Sequence, residues 1–491
     1  MKYTINILKV ALLFLLVTFW SCMDLEEMSL NRLAPSSFYK TPDQCMSGLV
    51  SATQLIVEDH PSYSDGTQRR DLNWAVTFQN DVWNKHFKSI SNLNPIIQSI
   101  LEENLNSFPQ NTVNDILGQA YFLRAFNHFQ LVRLYGKIPY VDENFPDMLA
   151  SPPTPESREE VSVIYDKVEA DLLKAIGLMS STIDQATPGR PYSWAAKALL
   201  ARVYVNRATA PLKQTEYYAK ACDISNDVIE NGPYSFIENI KDIFALENVK
   251  ENPEFIWQYN SADDAPRANG FGPGPDEWGV WGAHEARGPW ADKYPDQPRK
   301  WYYVLTRFPA NLYEDPSTWR WIDYSVSTDR RPFQAKYCWP NVPREYHRDN
   351  TMYHPSTPVF RFSDMLLVYA EAANMANGGP TQLAVDRLNM IIDRANKPFD
   401  SWYPETSIQG TVSRATMTMS AQEFDDIVFR ERDLELCFER ETYFDVLRKE
   451  KLKEVNEPDY SINFELYRYL LPIPAADVLL IGQNPGYPLP N

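Results

Sequence analysis

Cys22 is the residue whose position most directly predicts a chemical modification. It follows a largely apolar run, residues 10–20, and precedes the acidic stretch 24–27. A basic start, an apolar segment of about 7–15 residues and a small residue before the cut are typical of a secretory signal. The run is too short for a transmembrane helix, which needs roughly 20 apolar residues. We therefore expect cleavage after Ser21 and acylation of the Cys22 thiol. A plain secretion signal is the alternative, because Phe19 and Trp20 fit a lipidation site poorly.

A tryptophan-rich stretch is the second group with chemical meaning. Residues 250–340 hold eight of the 13 tryptophans. Exposed aromatic faces beside polar side chains suit the C–H faces and hydroxyls of sugars in a pre-formed cleft. The candidates for ligand contact are Trp278, Trp281, Trp290, Trp319 and Trp321 here, and Arg69, Trp74, Asn80 and Trp83 in segment 64–83. Polar candidates in the later loops are Asp276, Arg287, Asp292, Arg299, Arg320 and Asp323. For any single tryptophan, a packing role is the alternative.

Motifs of catalysis and metal binding are missing from the sequence. It has no GxSxG elbow, no HExxH, no phosphate-binding loop and no Cys/His cluster with metal-ligand spacing. The 65 acidic residues leave a glycoside hydrolase open as an alternative, since that chemistry needs only two carboxylates. Our expectation is a protein without catalytic residues, metal or cofactor. The cysteines form no CxxC pair, and Cys222 and Cys437 are expected in the core.

Composition limits the partners. The chain has 491 residues, a formal charge of −18 and a pI near 4.9. Such a chain is repelled by nucleic acid, so we expect neutral ligands or protein partners. Proline outnumbers glycine, 37 to 18, which indicates stiff, irregular loops.

Helical periodicity dominates the chain on both sides of the tryptophan-rich stretch. Within 114–135, Phe122, Phe126 and Phe129 share one apolar stripe, and Gly118 on that stripe would allow close approach of a neighbour. Further helices are predicted over 42–56, 82–101, 161–179, 193–203 and 215–230, and again from residues 363, 381 and 420. The last begins with a Ser420–Glu423 capping box and is expected to continue through residue 438. We predict a mainly α fold of tetratricopeptide-like helical hairpins with a loop-rich ligand region.

Charged residues on the predicted helices have a structural explanation. Arg430, Glu431, Arg432 and Glu435 are spaced to form an ion-pair network on one long helix. His128 lies on the aromatic helix and is expected to be a hydrogen-bonded, partly buried histidine rather than a metal ligand.

Four blocks resemble one family, the SusD/RagB nutrient-binding lipoproteins of the Gram-negative outer membrane. They are residues 122–139, 195–204, 361–372 and 430–448, and the tail segments 471–474 and 483–487 also match. The order and spacing of the blocks carry the resemblance across nearly the whole chain. One departure is Arg440, which stands where the family usually has glycine.

The resemblance implies a division of the chain and a role. Residues 1–21 would be the signal peptide, 22–232 an N-terminal helical region, 233–362 the ligand-binding region, and 363–491 a C-terminal helical region with an extended tail. The protein would be lipid-anchored at Cys22 on the cell surface. It would capture an oligosaccharide, or a peptide as in RagB-type branches, and deliver it to a SusC-like TonB-dependent transporter without performing chemistry. A lid with negligible ligand affinity of its own is a further alternative.

Overall fold

A computed structural model gives the structure of most of the chain. It describes residues 38–58, 75–102, 104–145, 154–184, 187, 189–244, 252–259, 275–278, 286, 288–311, 314–336, 357–398, 410–456 and 469–486. The α-helices are α1 (Pro42–Glu58), α2 (Ala75–Leu101), α3 (Gln110–Tyr135), α4 (Val161–Leu178), α5 (Ser193–Ala208), α6 (Tyr217–Asn231), α7 (Ile240–Ile243), α8 (Gly288–Lys293), α9 (Pro298–Tyr303), α10 (Phe362–Asn377), α11 (Gln382–Asn396), α12 (Ala421–Glu435), α13 (Glu441–Arg448), α14 (Leu452–Asn456) and α15 (Ala475–Ile481).

Short strands lie mainly between α7 and α10. They are β1 (Ile138–Pro139), β2 (Arg158–Glu159), β3 (Phe255–Tyr259), β4 (Val304–Leu305), β5 (Arg307–Pro309), β6 (Trp321–Asp323), β7 (Phe333–Gln334) and β8 (Thr357–Arg361). They form the antiparallel pairs β1–β2, β3–β8, β4–β7 and β5–β6. Helix predominates and the sheets are small, so the predicted mainly α fold is confirmed.

Helices that follow one another in the chain pack side by side. This holds from α1 to α6, and α10 packs against both α6 and α11, so the helical array resumes after the loop-rich region. A Cβ at Gly118 on α3 would lie 2.6 Å from Cγ of Met179, which follows α4. Only a residue without a side chain permits this contact, as the sequence predicted.

Helix ends agree with the sequence at some positions and differ at others. The Thr381 hydroxyl accepts a hydrogen bond from the backbone N–H of Ala384, and the Ser420–Glu423 capping box forms as predicted. The helix from Ser420 ends at Glu435 and does not continue through residue 438, where Phe438 has a left-handed φ of 63°. The C-terminal tail is also not wholly extended, since it contains α15.

A segment without helix or strand, residues 410–420, is held along α11 by two asparagine side chains. The Asn389 amide donates to the carbonyl oxygen of Ala415 at 3.0 Å and accepts from its N–H at 2.9 Å. Asn396 makes the same two bonds with Val412, at 2.8 and 2.9 Å. We call this segment the strap. Its first residue, Gly410, lies so close to the carbonyl oxygen of Asp296 that a Cβ there would overlap it.

The buried apolar residues form one large cluster and smaller ones. The large cluster is built on α1 to α6 and includes residues of β3, β8, α10 and the tail up to Ile481. A second cluster lies under the loop-rich region and includes Cys437, which is fully buried as expected. Cys222 on α6 is half-buried and packs against the large cluster. The division of the chain at residues 232 and 362 remains a prediction.

Candidate functional site

Several sequence-predicted site residues lie outside the described part of the chain. These are Cys22, Arg69, Trp74, Trp281 and, among the polar candidates, Arg287. Asn80 belongs to α2 and Trp278 to the 3-10 helix Asp276–Trp278, but the structure describes only their backbones. All of these residues therefore keep the status of predictions.

Trp83 and Trp290 are packing residues, which corrects the expectation that they line a ligand surface. Trp83 is 5% exposed, with its ring 4.7 Å from Phe87 and 4.8 Å from Tyr135 between centroids. Trp290 is 7% exposed, and its indole N–H donates to Asp433 at 2.8 Å. Rings this enclosed have no face left for a sugar. Sequence reasoning missed the burial of Trp290 because its partner is far away in the chain.

Trp319 and Trp321 lie together on the surface of the loop-rich region. They precede and begin β6, which pairs with β5 so that Trp321 stands opposite Pro309 and Asp323 opposite Arg307. Alternate residues of a strand point to the same face, so β6 carries Trp321 and Asp323 on one face, and Trp319 precedes the strand in contact with Trp321. Both tryptophans are partly exposed. The alternation W-R-W-I-D is the sequence signal for this strand face.

The two indole rings form a corner. Their centroids are 6.1 Å apart and their planes meet at 75°, an edge-to-face contact. Both rings also pack against the second apolar cluster, which contains the fully buried Phe308 of β5. We call the pair with β5 and β6 the tryptophan hairpin. It combines apolar faces with polar neighbours, as a sugar-binding surface requires.

Polar side chains surround the tryptophan hairpin. Arg320, between the two tryptophans, is exposed and forms no ion pair with any described residue. The Tyr324 hydroxyl donates to the Asp292 carboxylate at 2.8 Å. Burial and this bond raise the pKa of Tyr324 above its ordinary value, so the hydroxyl stays protonated near neutral pH. Asp323 accepts hydrogen bonds from the backbone N–H and the hydroxyl of Ser325.

Arg299 was a polar candidate for ligand contact, and the structure corrects this. It is fully buried on α9 and forms ion pairs with Glu431 at 2.8 Å and Glu435 at 2.9 Å. An arginine next to tryptophans in an apparent loop gives no periodic signal of burial. Because α9 leads directly into β4 and β5, this contact fixes the root of the tryptophan hairpin on α12.

Arg299 belongs to a larger group of buried charges, which we call the charge cluster. Its cations are Arg299, Lys336, Arg361 and Arg394, and its anions are Glu254, Glu431, Glu435 and Glu439. Four positive charges meet four negative charges, so the cluster is balanced. The charge cluster connects α9 and the residues that follow β7 to β8, α11 and α12.

Glu435 is at the centre of the charge cluster. Its carboxylate accepts from Arg299, Arg361 and Arg394, each at 2.9 Å, and from the Tyr303 hydroxyl at 3.0 Å. Burial alone would raise the pKa of Glu435, but the surrounding guanidinium groups outweigh it and hold the pKa far below the ordinary range. The predicted structural role is confirmed for Glu431, Glu435 and Arg432, but their partners lie on other elements, so the expected ion-pair network within one helix is wrong.

Arg432 and Arg430 complete the α12 set. Arg432 is buried and pairs with Asp445 at 2.8 Å and Asp364 at 3.0 Å. Arg430 is half-exposed and touches Glu431 at 3.3 Å. The ion pairs of Arg432 connect α12 to α10 and α13, whereas the contact of Arg430 stays within α12.

His128 is a hydrogen-bonded core residue. It is fully buried on α3, its Nε2 accepts from the N–H of Val141 at 3.2 Å, and its Nδ1 lies 3.1 Å from the carbonyl oxygen of Arg124. Its ring stacks on Tyr140 with centroids 4.0 Å apart. Burial lowers the pKa of His128 well below its ordinary value, so the ring is neutral. The expected hydrogen-bonded histidine is confirmed, although it is wholly rather than partly buried.

Comparison with known protein families settles the relationship. A SusD-like family model described as "Starch-binding associating with outer membrane" matches residues 23–205, and a SusD family model matches residues 332–487. The two matches together cover more than two thirds of the chain. The chain belongs to the SusD/RagB family. It is also similar to SusD-like protein P2 of Formosa agariphila, with 27% identity over 532 aligned residues, 98% of this chain and 99% of that protein.

Solved structures of SusD proteins share the fold. A SusD superfamily protein from Bacteroides vulgatus has a TM-score of 0.70 at 17% identity, covering 92% of this chain and 100% of that one. Surface glycan-binding protein A from Bacteroides thetaiotaomicron, in complex with laminarihexaose, has a TM-score of 0.66 at 18% identity, covering 90% and 99%. At these identities the likeness establishes the SusD-like fold. Among the described residues, no helix is both long and apolar enough to cross a membrane.

Proposed function

We propose that this SusD/RagB protein is a lipid-anchored glycan receptor of the outer membrane that passes its ligand to a SusC-like TonB-dependent transporter. The observation that carries the proposal is the tryptophan hairpin, where two partly exposed indoles are in contact and Trp321 shares a strand face with Asp323. The matched model's description, "Starch-binding associating with outer membrane", and the fold shared with a laminarihexaose-bound protein support a glycan as ligand.

The charge of the chain favours a neutral glycan. The charge cluster is balanced, so the formal charge of −18 resides on the remaining residues. A surface with this excess repels nucleic acids and polyanionic glycans, most strongly at low salt. Indole faces need no charge on the ligand, because they bind the C–H surfaces of a sugar ring.

The proposed anchor and platform extend to residues whose side chains the structure does not describe. Cys22 would carry the lipid after removal of residues 1–21. Trp278, Trp281 and, from the earlier loop, Trp74 with Arg69 and Asn80 would complete the ligand surface. Residues 233–362 would form the ligand-binding region between the helical regions 22–232 and 363–491.

A binding screen tests the function. The full-length chain, in a detergent without a sugar headgroup, is titrated calorimetrically with neutral oligosaccharides, uronate oligosaccharides and peptides. We expect binding of a neutral oligosaccharide that is lost in the Trp319→Ala/Trp321→Ala double variant and kept in Val326→Ala. Val326 is 72% exposed near the hairpin and is the matched control. Binding of peptides alone would replace the glycan with the RagB-type alternative, and binding of nothing would favour a lid without ligand affinity.

Two further measurements address catalysis, anchoring and delivery. Incubation with the bound glycan should release no new reducing ends, since the proposal includes no catalytic step; their appearance would support a surface hydrolase. Labelling cells with a fatty-acid analogue should mark the wild-type protein and not Cys22→Ala. A transporter barrel should co-purify with the wild-type protein, and its absence under mild solubilisation would count against delivery.

A further inference from the structure

We propose that the outward face of α15 is a second membrane contact, an apolar surface that lies against lipid while the anchor at Cys22 holds the chain on the membrane. This inference rests on the lipid anchoring in the proposed function and adds the orientation of the protein to it. It comes from Leu479 and Leu480, two exposed leucines on a helix whose inward residues are already packed.

The side chains of α15 are arranged in the reverse of an ordinary surface helix. Leu479 is 83% exposed and Leu480 40% exposed, and the two alanines that begin the helix are exposed as well. The one charged residue of the helix, Asp477, is partly buried and hydrogen-bonded to the buried Trp83 of α2. A surface helix ordinarily turns its charged residues to water and its apolar residues inward. The outward face of α15 is instead wholly apolar.

The helix is fixed at its base, so the leucines are presented without any rearrangement. The Gln483 side chain accepts from the backbone N–H of Ile473 at 2.7 Å and donates to its carbonyl oxygen at 3.1 Å, which closes the loop around α15. The Asn484 amide donates to the carbonyl oxygens of Leu471 at 2.7 Å and Tyr135 at 3.0 Å, which ties the loop to the end of α3. A surface that is already ordered loses little conformational freedom on contact.

The charges beside α15 are balanced, in contrast to those of the acidic chain as a whole. Arg158 of β2 donates to the carbonyl oxygen of Gly482 directly after α15, and the exposed Glu156 precedes β2. The adjoining ion pairs are Lys137–Glu160 and Lys167–Glu159. These are three charges of each sign, whereas the chain carries a formal charge of −18. Contact with a membrane is therefore less opposed by repulsion here than over the rest of the surface.

The size of the outward face fits a lipid surface better than a protein partner. The seven residues of α15 make a helix about 10.5 Å long. A stable protein–protein interface buries about 800 Å² on each partner, which is far more than two leucines and two alanines provide. A leucine that enters lipid needs no partner of matching shape, and its transfer from water is favourable by itself. The family to which the chain belongs is described as associating with the outer membrane, so such a surface is close by.

The proposed anchor can reach the membrane on the side of α15. Phe38 comes 16 residues after Cys22, and a chain of that length spans up to about 55 Å. The carbonyl oxygen of Tyr39 accepts from the Ser99 hydroxyl of α2. Ser99 is 16 residues from Trp83, the residue that bonds α15, which is about 24 Å along the helix. The tether is thus longer than the distance it has to cover, and the lipid and α15 can meet one surface.

Site-specific fluorescence quenching tests this inference. The acylated chain, with a nitrobenzoxadiazole label on Ala475→Cys beside the leucines, is reconstituted into phosphatidylcholine vesicles that contain a spin-labelled phosphatidylcholine. The spin label quenches a fluorophore that touches the lipid. We expect quenching at position 475 and none above background for the same label on Val326→Cys, a position that is 72% exposed in the loop-rich region. The unsubstituted chain, labelled in parallel, gives the background of the native cysteines.

Replacement of the leucines gives the second arm. Leu479→Ser/Leu480→Ser in the Ala475→Cys chain should lower the equilibrium constant for lipid contact at least about tenfold, and so remove most of the quenching. Leu173→Ser, which changes a 54% exposed leucine on α4, is the matched control and should leave the quenching unchanged. The urea midpoint of both variants should equal that of the parent, because the side chains are exposed.

Flotation of the vesicles separates failure of this inference from failure of the anchor. Equal quenching at positions 475 and 326, or full quenching without the leucines, in a chain that still floats would overturn the inference and leave the anchor intact. A chain that does not float would overturn both. A disulfide between two Ala475→Cys chains would identify a second copy as the occupant, and a cross-link from this cysteine to the transporter in cells would identify that protein; either result would also overturn the inference.

Discussion

Replacement of Glu435 by Gln should destabilise the protein strongly. The amide keeps the size of the side chain but removes one negative charge from the balanced charge cluster. Arg299, Arg361 and Arg394, each now 2.9 Å from this carboxylate, would then share one uncompensated buried positive charge. Removal of one partner from a buried ion pair typically costs about 3–5 kcal/mol. We expect a loss of this size in the free energy of unfolding.

The measurement is equilibrium unfolding in urea, followed by tryptophan fluorescence, for wild type, Glu435→Gln and the control Glu450→Gln. Glu450 pairs with Lys213 at 2.7 Å, but its side chain is 53% exposed, so water screens the pair. Exposed pairs contribute about 0–1 kcal/mol, and the control should stay within that range. A Glu435→Gln variant as stable as the control would refute the view that the cluster depends on charge balance.

Four other changes have defined outcomes. Burial lowers the pKa of His86 to about 4. The contribution of the neutral His86 to the free energy of unfolding should therefore be fully present above pH 6.5 and fall by about 3 kcal/mol as the pH drops through 4, as measured by urea unfolding. Because Arg440 has a left-handed φ of 74°, Arg440→Gly should leave the urea midpoint unchanged or higher, whereas Arg440→Val should cost about 1–2 kcal/mol. Gly410→Ala should lower the thermal midpoint, because its Cβ would overlap the carbonyl oxygen of Asp296. Trp290→Phe should cost about 1–3 kcal/mol in the same urea assay yet leave glycan affinity unchanged, because the ring is buried.

Each of these has a control or a contrary result. His86→Gln should make the acid limb of the stability profile shallower without removing it, because the buried His128 also has a lowered pKa, and a profile as steep as wild type would assign the loss to other groups. A stabilising Arg440→Val would contradict the backbone argument. Full stability of Gly410→Ala would mean that the strap can move away from Asp296. Loss of glycan affinity in Trp290→Phe, measured by calorimetry, would return that tryptophan to the ligand surface.

The helices were predictable because their signals are local. Apolar stripes repeat every three to four residues, and the caps at Thr381 and Ser420 consist of neighbours in the sequence. The roles of Arg299 and Trp290 were not predictable, since their partners Glu431 and Asp433 come from a helix more than 130 residues later. A single sequence contains no measure of such distant pairing.

Part of the candidate site was within reach of the sequence. The alternation of Trp321 and Asp323 indicates a shared strand face without any knowledge of the fold. The 75° angle between the indoles could not be predicted from the sequence, because packing on the second apolar cluster and hydrogen bonds from the neighbouring turn determine this angle. Composition therefore identified the region, and tertiary contacts determined its shape.

The position of the strap along α11 is set by the spacing of two asparagines on that helix. Asn389 and Asn396 are seven residues apart, which is about 10.5 Å along a helix. Ala415 and Val412 are three residues apart, which is about 10 Å in an extended chain. The two spacings coincide, so both amide pairs can form together only at this register. One inserted residue between 412 and 415 would disconnect one anchor, whereas the same insertion before Gly410 would leave both in place. Length variation in this part of the chain is therefore restricted to positions outside residues 412–415.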